Sequence, residues 1–386
     1  MVIIMLKRFE LRNYKNFKED IVIDLGRIGG YQFSSDCITD GKIGKMLIYG
    51  KNATGKTNLG NALMDIKSNL YGMGSRISED EIFLNADSDE KCAQFKYVFC
   101  FDKDELEYEY SKSADKKLVN EILYVNGKKI FRIDFLKGEY DFDNLIDIDA
   151  DMVVTDRYQE AMEIDDDAEN IADYRISFLR WIISNSALKK DSVLIRLAEY
   201  VRRMTMLTAR SQGQLILFRR ITEMFKDEKV LSQLEEFLNI MGVDCKLVLK
   251  ELPDGQSELY FAHDKLVPFF RNASSGTMAL FDLFSRFIIA GRTSSLLYFD
   301  EFDAFYHYEM AENIIKYFKK MYPGCQIIMT THNTNLMTNK LMRPDCVFIL
   351  SSWGALTALC DATNRELREG HNLEKMYISG EFERYE

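Results

Sequence analysis

The sequence predicts an α/β fold in which a mainly parallel sheet is assembled from the two ends of the chain around an inserted, mainly helical segment. Three observations predict it. Strands alternate with helices over residues 1–70 and again over 257–350; period-two alternation runs from Cys92 to Ile133; and helical spacing with few breakers fills residues 168–241. At 386 residues the chain can bury a substantial core. The expected partition is 1–138, carrying the first core strands and an antiparallel β part; 139–243, an acidic loop and a helical lobe; and 244–386, the second half of the core.

Near the N-terminus, Leu6 to Arg12 and Asp20 to Leu25 read as strands, and Met46-Leu47-Ile48-Tyr49 as a short buried one. Directly after it, Gly50-Lys51-Asn52-Ala53-Thr54-Gly55-Lys56-Thr57-Asn58 fits the phosphate-loop pattern G-x-x-x-x-G-K-[ST] and opens a helical run from Thr57 to Leu70. The glycines permit a tight turn whose backbone N–H groups and following helix dipole favour an anion. Lys56 would then reach the β- and γ-phosphates of a nucleotide, and the Thr57 hydroxyl would hold Mg2+.

Between the two core segments, Phe95 to Phe101 and Leu106 to Tyr110 alternate strictly, and Asn126-Gly127 separates two further strands as a hairpin turn. Residues 139–169 are rich in acid, with Asp147, Asp149 and Asp151 alternating and Asp165-Asp166-Asp167 in a run. A divalent-metal nuclease could use such carboxylates, but the glutamate-bearing strand that should precede an Asp-x-Asp pair is missing, and a solvated acidic loop is expected. From Lys189 to Lys226 basic residues outnumber acidic ones: Lys189, Lys190, Arg196, Arg202, Arg203, Arg210, Arg219, Arg220 and Lys226. That face suits nucleic-acid phosphates, an acidic protein partner, or plain solvent.

In the C-terminal segment, Cys245 to Leu252 and Ser257 to His263 flank Pro253-Asp254-Gly255 as a second hairpin. Thr277 to Ile289 and Glu309 to Met321 read as helices, Gln326 to Met329 as a strand, and Cys346 to Leu350 with Leu356 to Leu359 as a last hairpin. Leu296-Leu297-Tyr298-Phe299-Asp300-Glu301 is an apolar strand ending in two carboxylates. Asp300 would steady Mg2+ through its water shell, and Glu301 would orient or deprotonate an attacking water. Thr330-Thr331-His332 follows the strand Gln326 to Met329, so His332 falls at a strand's carboxyl end, a position from which an imidazole can reach a γ-phosphate. Ser274, Ser275 and Gly276 precede a helix and form an anion-ready cap.

Composition bounds the classes that remain. Hydrophobic residues at 47% exclude a largely disordered chain, and no apolar run approaches the ~18 residues of a membrane helix. Seven scattered cysteines without C-x-x-C spacing predict reduced thiols and a cytoplasmic protein. A net charge of −11 argues against a chain that coats nucleic acid non-specifically. Asn339-Lys340-Leu341-Met342 lacks the Asp that a guanine-reading N-K-x-D motif requires.

Taken in order, these segments resemble the ABC-type ATPases, and within them the SMC/RecF-like AAA-family ATP-binding proteins of bacterial DNA repair and phage defence. The resemblance rests on Gly50-x-Asn52-x-x-Gly55-Lys56-Thr57-Asn58, Ser274-Ser275-Gly276-Thr277, Phe299-Asp300-Glu301-Phe302-Asp303 and Thr330-Thr331-His332-Asn333-Thr334-Asn335. It implies an ABC-type P-loop ATPase head that binds and hydrolyses ATP with Mg2+. Ser274, Ser275 and Gly276 would act in trans across a homodimer or higher homo-oligomer, with Asp303 in the loop at the dimer seam. Ser275 stands where transporters carry the first signature Gly, and Thr277 where they carry Gln. His307 is similar to the family's Leu-His-Pro position, with Tyr308 replacing Pro, and is given no catalytic role. Neither Gln94 nor Gln159 matches the family's Gln-bearing loop. The stretch Arg365 to Leu373 is similar to the tail of small defence ATPases encoded beside a separate nuclease, implying an effector nuclease or toxin as partner. The resulting expectation is an ATP-dependent dimer switch controlling DNA or such a partner. Its alternatives are a nucleotide-gated scaffold with little turnover and a RecF-like repair ATPase, while the long stretch from Thr57 to Ser274 makes a compact transporter subunit the weakest option.

Overall fold

A computed structural model describes residues 4–72, 82–150, 152–165, 175–208, 223–253, 255–291 and 294–386. Along the chain the strands are β1 (Ile4–Arg12), β2 (Ile21–Asp24), a small hairpin of β3 (Ile38–Thr39) and β4 (Lys42–Ile43), β5 (Lys45–Tyr49), β6 (Cys92–Phe101), β7 (Asp104–Ser113), β8 (Leu118–Val125), β9 (Lys128–Asp134) and β10 (Glu139–Phe142). They continue as β11 (Thr205–Thr208), β12 (Leu247–Glu251), β13 (Ser257–Phe261), β14 (Val267–Pro268), β15 (Leu296–Asp300), β16 (Gln326–Thr331), β17 (Val347–Leu350) and β18 (Leu356–Ala358).

Two large sheets result. One is wholly antiparallel, in the order β10-β9-β8-β7-β6-β1-β2. The other runs β11-β15-β16-β5-β17-β18, with every pair parallel except the last. The predicted mixed α/β core is therefore present. Strands β5, β15, β16 and β17 are buried along their whole length, the mark of a sheet covered on both faces. In the antiparallel sheet the alternation is cleaner, and Asn126 and Gly127 turn the β8–β9 hairpin with φ of 52° and 75°, the left-handed pair that a two-residue turn demands.

The helix Lys56–Leu63 lies between the two sheets. On one side Tyr97 donates its hydroxyl to the Ala62 carbonyl at 2.9 Å. On the other, Gly60 approaches β15 so closely that a Cβ there would sit 2.5 Å from the Tyr298 ring, and the Tyr298 hydroxyl reaches the Lys56 carbonyl at 2.5 Å. The single helix expected from Thr57 to Leu70 is two, Lys56–Leu63 and Ile66–Tyr71. The break falls at Met64 and Asp65, where the Asp65 carboxylate accepts from Tyr110 at 2.8 Å and from Lys112 at 2.6 Å, tying the chain to β7.

The middle segment is mainly helical, with helices Met152–Asp165, Phe178–Asn185, Val193–Arg202 and Glu228–Ile240, but boundaries at 138 and 243 cut across both sheets. Residues 139–142 form the last strand of the antiparallel sheet, and 205–208 form an edge strand beside β15. The solvated acidic loop expected over 139–169 is corrected as well. Its apolar residues Phe142 and Tyr158 pack with Phe178, and Tyr140 with Tyr158, while the acids turn outward to neighbouring lysines: Asp141 and Asp143 to Lys129, Asp147 to Lys128 and Asp149 to Lys189. Asp151, Asp166 and Asp167 lie outside the described residues, as does Asp254 of the second hairpin. No described helix is long and apolar enough to cross a membrane.

Candidate functional site: a phosphate loop facing two carboxylates

The phosphate loop connects β5 to the helix Lys56–Leu63, at the carboxyl end of the parallel strands. Ala53 and Gly55 take left-handed φ of 65° and 100°, which turns the intervening backbone into a concave run. Two positions need glycine on geometry alone. A Cβ on Gly50 would fall 2.6 Å from the Thr54 hydroxyl, and one on Gly55 would meet the Phe17 ring at 3.0 Å besides its positive φ.

Lys56 is buried and folds back over the loop, donating to the Gly50 carbonyl at 2.7 Å and the Lys51 carbonyl at 2.9 Å. Burial pulls its pKa down, opposed by the charges of Glu301, Asp300 and Asp303. Asp300, at the end of β15, accepts from the Thr57 hydroxyl on one oxygen at 2.6 Å and from the Thr330 hydroxyl on the other at 2.9 Å. Burial raises the Asp300 pKa, and these two hydrogen bonds hold it down. A buried carboxylate beside an ammonium and two hydroxyls is poised for a cation.

Glu301 follows in a left-handed conformation, φ 49°, and its backbone N–H donates to the Thr330 hydroxyl at 2.8 Å. Strand β16 runs between β15 and β5, so Thr330 and Thr331 lie between the phosphate loop and the carboxylates. Gly50 N–H donates to the Thr331 carbonyl at 3.2 Å, and the Thr331 hydroxyl donates to Asp303 at 2.8 Å. His332 is exposed at the end of β16. Thus Gly50, Gly55, Lys56, Thr57, Asp300, Glu301 and His332 are gathered on one end of the parallel sheet. Asn52 is exposed on the loop, and Asn58 donates its side-chain amide to Asn16.

Other expected residues are placed differently. Asp303 is buried, with its carboxylate turned inward onto Thr331 and its pKa raised by that burial. Ser274 and Ser275 are exposed; the Ser274 hydroxyl accepts from Thr277 N–H at 3.1 Å and caps the helix Ser275–Gly291. A Cβ on Gly276 would meet only the Ser274 hydroxyl, at 3.9 Å, so the local fold does not require glycine there. Gln94 lies within β6 and Gln159 within the helix Met152–Asp165, neither in a loop. Three residues of the basic set are spent on acids: Lys189 on Asp149, Arg196 on Asp102, and Lys226 on Glu223. Arg210, Arg219 and Arg220 lie outside the described residues.

Sequence reading missed several contributors. Asn16 and Phe17, in the tight turn after β1, press against Gly55, and Phe17 also meets Gly354. Thr330 opens the motif that contains His332, but the motif gives it no role of its own. Glu386 forms an ion pair with Lys51 of the loop at 2.5 Å, and Tyr377 packs edge-on against Tyr49.

The donor set also discriminates among cations. Thr57 and Asp300 offer hard oxygens 2.6 Å apart, and among the described residues no group of three or more acidic, His or Cys side chains gathers to hold a metal alone. That fits Mg2+ shared with phosphate oxygens and water, not an all-protein cage.

Residues 45–338, more than half of the chain, match the family described as "AAA domain, putative AbiEii toxin, Type IV TA system". The chain belongs to that AAA family. It is a P-loop ATPase domain whose phosphate loop and paired carboxylates both fall inside the matched span. No curated protein matches the chain by sequence. Among solved structures it is similar to an Smc head bound to the C-winged helix domain of ScpA, with 17% identity, TM-score 0.48, and 89% of this chain and 93% of that one covered. It is also similar to the SMC head domain from Thermotoga maritima, with 16% identity, TM-score 0.46, and 92% and 98% covered. A third is the Pyrococcus furiosus Smc head domain with an extended coiled coil bound to the C-terminal domain of ScpA, with 17% identity, TM-score 0.46, and 99% and 100% covered.

Proposed function

We propose that this AAA-family domain hydrolyses ATP and uses the nucleotide to switch a homodimer, which in turn controls a partner effector. The observation that carries the reading is the hydrogen-bonded run Thr57–Asp300–Thr330 set beside Lys56 and Glu301. Lys56 sits on two loop carbonyls that it can exchange for phosphate oxygens. Loop N–H groups bind the same phosphates, and Thr57 with Asp300 would hold Mg2+. When bound, Mg2+ supplies neutralisation of charge on the β- and γ-phosphates. Glu301 orients the attacking water for in-line displacement and takes its proton, and His332 contacts the γ-phosphate.

Dimer switching is supported by Ser274, Ser275 and Gly276. Ser274 and Ser275 are exposed on a helix cap, and Gly276, half-buried beside them, has open space where its own fold has no need of glycine. A glycine so placed admits close approach of a second chain's nucleotide. The family description names a "putative AbiEii toxin" and a toxin–antitoxin system, which supports a toxin system as the setting in which the switch acts.

Glu301→Gln tests the centre of this reading. It is expected to lower ATP turnover by roughly 100-fold or more and to shift ATP-incubated protein from monomer to dimer in light scattering. Turnover at the wild-type rate would remove Glu301 from its assigned role.

A further inference from the structure

Glu301 is held in the left-handed region, which a non-glycine residue occupies only when its surroundings impose it. One hydroxyl takes its backbone N–H here. Thr330 Oγ1 accepts the Glu301 N–H at 2.8 Å and donates its own proton to Asp300 Oδ1 at 2.9 Å. That leaves Asp300 Oδ2 turned to Thr57 at 2.6 Å. The side chain of Thr330 is fully buried, and its hydroxyl faces Asp300 and the Glu301 backbone.

We infer that Thr330 is the positioning residue of the site: a single buried hydroxyl that sets Asp300 toward Thr57 and Glu301 toward the phosphates. The inference rests on the ATPase reading above.

Geometry separates this role from general support of the turn. Phe302 N–H donates to the Thr330 carbonyl at 3.2 Å, and Thr331, the next residue, holds Asp303 with its own hydroxyl. Both contacts survive loss of the Thr330 hydroxyl, so the turn stays attached to β16. What is lost is specific. Glu301 N–H loses its acceptor, Asp300 loses one of its two donors, and the carboxylate is free to rotate from Thr57. Supporting partners of this kind typically change metal affinity or activity by about 10- to 100-fold.

The test compares Thr330→Val, which keeps the shape and removes the hydroxyl, with Thr330→Ser, which keeps the hydroxyl. Two readouts are taken: kcat and KM for ATP, and the Mg2+ concentration that half-saturates binding of a fluorescent non-hydrolysable ATP analogue. Thr330→Val is expected to lower kcat about 10- to 100-fold with KM within about threefold, and to raise the Mg2+ half-point about tenfold. Thr330→Ser should restore both. If Thr330→Val lowers the melting temperature but leaves kcat and the Mg2+ half-point at wild-type values, the residue is structural only and the inference falls. Should Thr330→Val not fold, Thr330→Ala is read in the same way. If the wild type binds the analogue without hydrolysing ATP, the ATPase reading fails while the Mg2+ half-point still decides Thr330. A wild type that binds no nucleotide overturns both.

Discussion

Glu121, in the middle of β8, is fully buried, and its carboxylate caps the helix Phe178–Asn185. It accepts from the Phe178 N–H, from Tyr108 at 2.8 Å and from Ser177 at 2.9 Å. Its charge also acts on the buried Tyr158. Burial drives the Glu121 pKa from 4.5 to about 7, with those hydrogen bonds pulling the other way. Because the folded pKa is raised, the folded chain binds the proton more tightly than the unfolded one. Stability therefore rises as pH falls through 7 and is fully gained below 4.5. At about 1.4 kcal/mol per unit, the shift is worth about 3 kcal/mol. An unfolding entropy of ~2.1 cal/mol/K per residue over 386 residues turns that into a melting shift of about 4 °C. Glu121→Gln removes the titration and keeps the shape. Melting curves of wild type and Glu121→Gln, taken from about pH 8.5 down to about pH 4.5, should therefore converge or diverge by that amount in favour of wild type as pH falls. Any constant offset between the two cancels in the comparison. Parallel curves would mean that Glu121 does not change its protonation on folding, and the account of the capped helix would be wrong.

Other perturbations reach the site more directly. Gly60→Ala drives a methyl into the Tyr298 ring and should cost about 1–3 kcal/mol by chemical denaturation, although alanine favours helices; adding Tyr298→Leu should recover most of the loss, and no recovery would refute the clash. Lys112→Met leaves Asp65 charged and buried, and is expected to cost about 3–5 kcal/mol. The double variant with Asp65→Leu should regain most of this in the same assay. Glu386→Gln breaks an ion pair whose lysine is exposed, so it should change stability by less than about 1 kcal/mol; a nucleotide-affinity titration shows whether it matters at the loop.

What could be read from residues alone was whatever depends on local spacing. The phosphate loop, the strand ending at Asp300 and Glu301, the Asn126-Gly127 hairpin and the alternating run from Phe95 to Phe101 each carry their geometry in a few neighbouring side chains. The missed features depend on distant partners. Thr330 matters because Asp300 and Glu301 come to it from another strand, and Asn16 because Gly55 is folded against it. In residues 139–169 the density of acid hid an apolar spacing: Phe142 and Tyr158 find Phe178, and Tyr140 finds Tyr158, only when the sheet is already built. The four residues of β11 are too short a signal, and they become a strand because β15 offers an open edge.

The helix Lys56–Leu63 acts as an axle between two plates. Its first turn is pinned to the parallel sheet by Tyr298, and its far end to the antiparallel sheet by Tyr97. Any rocking of one plate against the other must rotate or shift this axle, and with it the residue that opens it, Lys56. A ligand that seats on the antiparallel sheet and tilts it would change phosphate affinity from a distance. By linkage, nucleotide would change that ligand's affinity by the same factor.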